Sequence, residues 1–134
     1  MRRDEMILLP LQRDAWSTEF FDAAGRGQLV MLRCGNCHEW SAPQSRRCAY
    51  CSSDDVTWTE VAGWGEIVSW TAPHIRDGET TKPAYVIALI QLDEGPWIYA
   101  QAGADSELSV GQTVKIGFNS VDGGEPLPVV AIPR

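Results

Sequence analysis

The spacing of apolar residues changes along the chain, and the changes divide it into three stretches. Between Asp14 and Ala24, Trp16, Phe20 and Ala24 recur four apart with Phe21 beside them, which is the spacing of one face of a helix. Ser17 or Thr18 can cap that helix, Glu19 and Asp22 suit its positive end, and Gly25 stops it. An aromatic stripe of this kind faces either a core or a partner, and the neighbouring sequence offers little core to receive it. The segment before the helix, residues 1–13, is mixed. Its Met6-Ile7-Leu8-Leu9-Pro10 cannot bury itself and needs the rest of the chain or a partner to lie on.

After the helix the period changes to that of strands. Gln28-Leu29-Val30-Met31-Leu32-Arg33 and Val56-Thr57-Trp58-Thr59-Glu60-Val61 read as two strands flanking a polar, cysteine-bearing stretch that includes Trp40. From Gly63 onward, strands alternate with turn signals. Gly63 to Thr71 is a long strand whose glycines permit a bend or bulge, with Trp64 and Trp70 an even number apart and so expected on one face. Ala84 to Leu92 is almost wholly apolar and is expected to be central and covered on both faces. Asp93-Glu94-Gly95 turns the chain into Trp97 to Ala102, Val110-Gly111-Gln112 opens Thr113 to Phe118, and Pro128 to Ile132 closes the sheet. Five such strands without a convincing helix among them describe a small antiparallel barrel of the OB type. The expected fold class is therefore all-β: an N-terminal segment with a short helix (1–27), a four-cysteine ribbon (28–62) and a five-stranded barrel (63–134).

All four cysteines lie in the middle stretch, as Cys34-Gly35-Asn36-Cys37 and Cys48-Ala49-Tyr50-Cys51. Two residues between cysteines let both sulfurs turn inward on a tight knuckle, so two pairs can place four thiolates at the corners of a tetrahedron. The arm from His38 to Arg47 is long enough for a small hairpin, with Pro43 and Gln44-Ser45-Arg46-Arg47 suited to its turn. Disulfides are the competing reading, and the chain shows no secretory signal to favour them. Zinc is the default ion for a closed four-sulfur site; iron in a rubredoxin-like site fits the same spacing. His38 follows a ligand directly, and a side chain in that place is expected to point away from the metal. Four thiolates on one divalent ion leave about two negative charges, which Arg33, Arg46 and Arg47 are placed to offset.

The 134 residues fit one compact domain or a small metal-dependent module joined to a barrel. Their net charge of -7 disfavours polyphosphate partners as a whole. No apolar run approaches the length of a membrane span, and a cytoplasmic protein is expected. A nucleic-acid-binding role is the rival reading, because zinc ribbons and OB-folds both serve it. It requires a basic stripe with interleaved aromatics, whereas the cations of the barrel half are confined to Arg76, Lys82, Lys115 and Arg134.

The order of landmarks resembles one family, the rubredoxin-like zinc ribbon joined to an OB-fold, long catalogued as a domain of unknown function. The resemblance runs from Phe20-Phe21 through Gly27-Gln28-Leu29 and both knuckles to Gly63-Trp64-Gly65, Trp70-Thr71, Pro83-Ala84-Tyr85, Leu92-Asp93-Glu94-Gly95, Val110-Gly111 and Pro128-Val129. Two departures stand out: His38 and Ser52 replace the glycine common after each second cysteine, where a left-handed backbone is expected, and Pro43-Gln44 replaces a Pro-Arg pair. The family implies a non-catalytic accessory subunit in a hetero-oligomer. Such a subunit docks on a thiolase, a thiolase-fold aldolase or a related acyltransferase and helps to form its acyl-CoA site. It implies structural zinc on Cys34, Cys37, Cys48 and Cys51 and no catalytic residue here. His74, with Asp77 nearby, is read as part of a solvated surface loop running to Lys82 rather than as a catalytic pair. In that loop Arg76 and Lys82 are the candidate contacts for CoA phosphates.

Overall fold

The computed structural model describes residues 14–72, 74–77, 80–83, 85–103, 106–120 and 123–133, with side chains described at all of these but 74–77, 80–83 and 132–133. The Met6–Pro10 run lies outside the described residues. Among them no helix is long and apolar enough to cross a membrane.

Helix α1 spans Thr18–Gly25, a turn shorter than the aromatic spacing predicts. Ser17 holds the N-cap position, as expected, but its side chain makes no cap hydrogen bond; the Asp14 carboxylate accepts the Ser17 N–H at 2.8 Å and the Ser17 hydroxyl at 2.9 Å, while the Thr18 hydroxyl donates to the Asp14 carbonyl at 3.1 Å. The Ser17 N–H holds the Asp14 carboxyl below its ordinary value. At the other end Gly25 stays within the helix, and the chain turns out through Gly27, whose φ of 77° is the left-handed conformation that ends helices.

Strands β1 (Val30–Cys34), β2 (Trp40–Ser41) and β3 (Val56–Glu60) form an antiparallel sheet with β1 in the centre. Between β2 and β3 lies a single 3-10 turn, Pro43–Ser45. The ribbon then runs into β4 (Trp64–Thr71), which joins β7 (Val86–Leu92), β8 (Trp97–Ala102), β9 (Thr113–Asn119) and β10 (Leu127–Pro133) in a closed barrel of order β10-β8-β7-β4-β9. Its neighbours are antiparallel except β8 and β10, which meet in parallel at Gln101 and Val129. Closure leaves no open edge, and the topology is that of the expected OB barrel.

Within the stretch His74 to Lys82, expected as a loop, β5 (His74–Asp77) instead pairs antiparallel with β6 (Thr80–Pro83), with Arg76 opposite Thr81 and Ile75 opposite Lys82. Thr80 and Thr81 are β-branched and supply the strand propensity that the charged residues conceal. A bulge in β4 makes the second departure. Ile67 pairs with Ile90 but Ser69 pairs with Leu89, so Val68 is an extra residue. Side chains beyond it change sides: Trp64 sits on the outer face beneath the Lys115 ammonium, 5.2 Å from its ring centroid, whereas Trp70 stands opposite the fully buried Ala88 in the register, near the strand's end, where its ring remains 47% exposed. Even spacing therefore does not place the two tryptophans on one face. Strand β7 is central, as expected, but only its inward residues Val86, Ala88, Ile90 and Leu92 are buried; Ile87 and Leu89 on the outer face are half-covered.

The core runs across the ribbon and the barrel. Leu29 and Met31 of the β1 segment and Val61 beyond β3 pack with Ile67, Ile90, Leu92, Val114 and Ile116 of the barrel, and Met31 is fully buried. At the connection, the Ala62 N–H donates to a Glu94 carboxylate oxygen at 3.1 Å and the Ala62 carbonyl accepts from the Lys115 ammonium. Helix α1 lies over this junction. Phe20 approaches Trp58 of the ribbon at 6.2 Å and Phe118 of the barrel at 6.4 Å, so its aromatic stripe meets a surface of its own chain.

Candidate metal centre and aromatic groove

The two knuckles have the same backbone design. In the first, the Cys34 carbonyl accepts the His38 N–H at 3.0 Å while its sulfur accepts the N–H groups of Asn36 at 3.3 Å and Cys37 at 3.4 Å. In the second, the Cys48 carbonyl accepts the Ser52 N–H at 3.0 Å and its sulfur accepts those of Tyr50 and Cys51, both at 3.4 Å. Closing each knuckle requires a left-handed residue after the second cysteine, and His38 (φ 66°) and Ser52 (φ 64°) adopt it. The sequence departure from glycine thus leaves the turn intact at the cost of local strain.

The four sulfurs converge, all within 4.8 Å of one another. Cys34 and Cys51 are 3.7 Å apart and Cys37 and Cys48 3.4 Å, well beyond the ~2.0 Å of a disulfide. A tetrahedron with metal–sulfur bonds of about 2.3 Å has edges of about 3.8 Å, so the cluster matches the size of a closed four-thiolate site. His38 is exposed and outside the cluster.

The donors around the sulfurs are suited to thiolates. The Cys51 and Tyr50 N–H groups bring the Cys48 thiol down to about 6, and the Cys37 N–H likewise lowers Cys34. At Cys37 the Glu39 N–H pulls downward, but burial and hydrogen bonding with Cys48, Cys51 and Cys34 outweigh it and push the thiol up to about 12. Two of the four sites are therefore prepared for proton loss by the backbone itself. An ion bound to four thiolates keeps no open position for water or substrate, so what it supplies is cross-linking. Two of the three flanking arginines are engaged elsewhere: Arg33 stacks on Trp40 at 5.0 Å and Arg46 on Trp16 at 5.6 Å. Backbone amides, joined by the Asn36 side chain donating to Cys51 Sγ at 3.6 Å, contact the sulfurs instead. Ser41, almost fully buried, accepts the Ala49 N–H at 3.0 Å and ties β2 to the second knuckle.

A second feature was not singled out from the sequence. A cavity of about 500 Å³ opens between α1, the ribbon and the outer face of β8, walled by Trp16, Phe20, Phe21, Trp58, Trp97 and Tyr99. The Trp16 indole N–H fixes one wall by donating to the Pro43 carbonyl at 2.7 Å. A smaller depression of about 340 Å³, lined by Ile87, Gln101 and Leu127, shares Tyr99 and Pro128 with it. Trp97 and Tyr99 are 49% and 68% exposed, unusual for large apolar side chains, while Ala100, next to Tyr99 and opposite the buried Ala88, is itself buried. The alternation of Trp97, Tyr99 and Gln101 against Ile98, Ala100 and Ala102 carried this signal in the sequence. Arg76 and Lys82 lie on separate strands of the β5–β6 hairpin, away from the cysteines in the topology.

Comparison with known proteins follows this division of the fold. Residues 58–119 match the family model described as the ChsH2 C-terminal OB-fold domain. A probable enoyl-CoA hydratase alpha subunit of Thermomonospora curvata is 29% identical over 119 residues, 86% of this chain but only 37% of that protein. Among solved structures, a chain of the "Ltp2-ChsH2(DUF35) aldolase" has a TM-score of 0.71 and 28% identity, covering 87% of this chain and 94% of its own. A protein of unknown function from the DUF35 family of Sulfolobus solfataricus has the same fold at a TM-score of 0.57 and 18% identity, covering 87% and 86%. The barrel thus matches the ChsH2-type OB-fold over residues 58–119, and the arrangement of ribbon and barrel is similar to that of the DUF35 structures, the family its landmarks resemble.

Proposed function

We propose that the chain is the accessory subunit of an acyl-CoA-processing enzyme, docking on a thiolase-like or thiolase-fold aldolase subunit and helping to form its acyl-CoA site. The observation that carries this reading is the similarity, over almost the full length of both chains, to the subunit of an aldolase assembly. The name of the Thermomonospora curvata relative points to acyl-CoA substrates independently and favours a second reading, in which the partner is a hydratase. The two readings share the chemistry of the ligand and differ in the reaction of the partner.

In either case the roles divide by physical construction. Structural zinc on Cys34, Cys37, Cys48 and Cys51 cross-links the ribbon, and the cytoplasm, being reducing, keeps those thiols available to it. Arg76 and Lys82 on the β5–β6 hairpin supply the cations for CoA phosphates. The partner supplies nucleophile and base. Co-expression with a thiolase-like subunit, followed by purification on a tag carried by only one chain, tests this. Both chains are expected in one complex whose acyl-CoA turnover requires both, with Arg76→Ala or Lys82→Ala raising KM for the CoA ester more than it lowers kcat. Turnover of a thioester by this chain alone at enzymatic rates would overturn the reading.

A further inference from the structure

We propose that the main chain of β8 beside the aromatic groove takes up an extended peptide segment of a partner protein, pairing with it as an added strand. The barrel closes along its whole circumference, yet the seam between β8 and β10 is held by one pair, Gln101 with Val129, and ahead of it the two strands part. The register fixes which way the main chain faces there. Leu92 donates its N–H to the Pro96 carbonyl at 2.9 Å, so in this antiparallel ladder Ile98 and Ala100 also turn their groups to β7, whereas Trp97, Tyr99 and Gln101 turn theirs toward β10. On the facing strand, the Ile116 N–H goes to the Gly63 carbonyl; Gly117 and Asn119 therefore serve Val129 and Leu127, which leaves position 128 facing β8. That position is Pro128, which has no N–H to give the Tyr99 carbonyl, and Pro126 before it has none either. The seam ends for this reason. On that side, no strand pair or backbone hydrogen bond among the described residues engages Trp97 or Tyr99.

The groove lies along this unpaired stretch. Trp97, Ile98, Tyr99 and Pro128 line it, and Tyr99, Gln101 and Pro128 line the depression that continues it. Main-chain groups left open beside an apolar trough select an extended backbone: its N–H and C=O groups pair with those of Trp97 and Tyr99, and its alternate side chains enter the groove. A helix keeps its main-chain groups to itself and would leave those of β8 unpaired. The middle of the segment is apolar, because the two charged residues that line the groove, Asp14 and Arg46, face each other at 4.0 Å and neutralise one another. Strand stretches that stay without a neighbour are normally guarded by charge, and Trp97-Ile98-Tyr99-Ala100 carries none. This inference stands apart from the acyl-CoA reading and does not depend on it.

The test uses the full metal-loaded chain as bait for a phage-displayed library of random dodecapeptides. The most enriched peptide, synthesised with a fluorescein label, is titrated by fluorescence polarisation, and its backbone is then N-methylated one residue at a time. Pairing as a strand predicts an alternation: methylation at every second residue of the central stretch weakens binding at least tenfold, and methylation at the residues between them leaves it within twofold. Trp97→Glu and Tyr99→Glu, at two exposed positions, should each weaken binding at least tenfold as well. The methylation scan leaves the protein unaltered and so decides the matter should either variant fail to fold. Failure of any peptide to enrich, a methylation profile without alternation, or an affinity that both folded variants retain would each overturn the proposal. So would a concentration-dependent dimer in sedimentation that Tyr99→Glu abolishes, because it assigns the stretch to a second copy of the chain.

Discussion

Met31 offers the sharpest test of how ribbon and barrel are joined. It belongs to the central strand of the cysteine ribbon, yet it is fully buried among barrel residues. Met31→Ala removes a buried thioether chain from a site closed on all sides, and such large-to-small changes cost about 2–5 kcal/mol. Taking about 3 kcal/mol, and a melting entropy of roughly 0.28 kcal/mol/K for 134 residues, the midpoint should fall by about 11 °C. The informative assay is hydrogen exchange by mass spectrometry, read separately for fragments from β1–β3 and from β7–β9. A common core requires protection to fall in both sets together, because the cavity destabilises a single cooperative unit. If exchange accelerated in the ribbon while β7–β9 kept the protection of the unaltered protein, the two parts would be separate cores and not one cooperative unit.

Other substitutions probe the remaining devices. In Gly65→Ala the new Cβ would lie 2.5 Å from the Gln91 carbonyl oxygen and 2.7 Å from Ile90 Cγ2, so the β4–β7 pairing must shift; a loss of roughly 2–3 kcal/mol is expected in chemical denaturation. His38→Gly and Ser52→Gly relieve the two left-handed knuckle positions and should each stabilise the metal-loaded chain by about 0.5–1 kcal/mol, read as a higher thermal midpoint. Lys115→Met keeps the stem over Trp64 but removes the hydrogen bond to the Ala62 carbonyl, and a loss of about 1 kcal/mol should appear as a lower denaturation midpoint. Cys48→Ser replaces one sulfur of the cluster, and metal should pass to a competing chromogenic chelator at least tenfold more readily than from the unaltered chain.

The parts of the fold legible in the sequence are those whose determinants are local. Two Cys-x-x-Cys pairs define the knuckles almost without context, and the left-handed positions at His38 and Ser52 follow from the same geometry. The five barrel strands are bounded by turn signals and could be delimited one by one. What escaped depends on the third dimension. Leu29 and Met31 alternate with Val30 and Leu32, and all four are buried, so no polar residue marks which side of β1 meets the barrel. Val68 carries no sign that it is the extra residue of a bulge, yet it alone decides that Trp70 changes face. The charged residues from His74 to Lys82 read as a loop because strand pairing there is local to a two-stranded hairpin without an apolar alternation. The groove was hidden for the opposite reason: its walls come from the helix, the ribbon and the barrel, each ordinary in isolation.

The shared core changes what metal binding is expected to do. In a free-standing ribbon of this size, the ion supplies nearly all of the folding free energy, and its loss would unfold the ribbon alone. Here Cys34 ends the strand that carries Met31, three residues away, and the knuckle it begins fixes where that strand can lie. Loosening the four sulfurs therefore loosens one wall of the barrel core. The effect does not stop there, because α1 covers the same junction through Phe20 and forms the groove with Trp58. Metal, barrel and groove are consequently coupled through β1 and β3, and a chelator should diminish barrel protection.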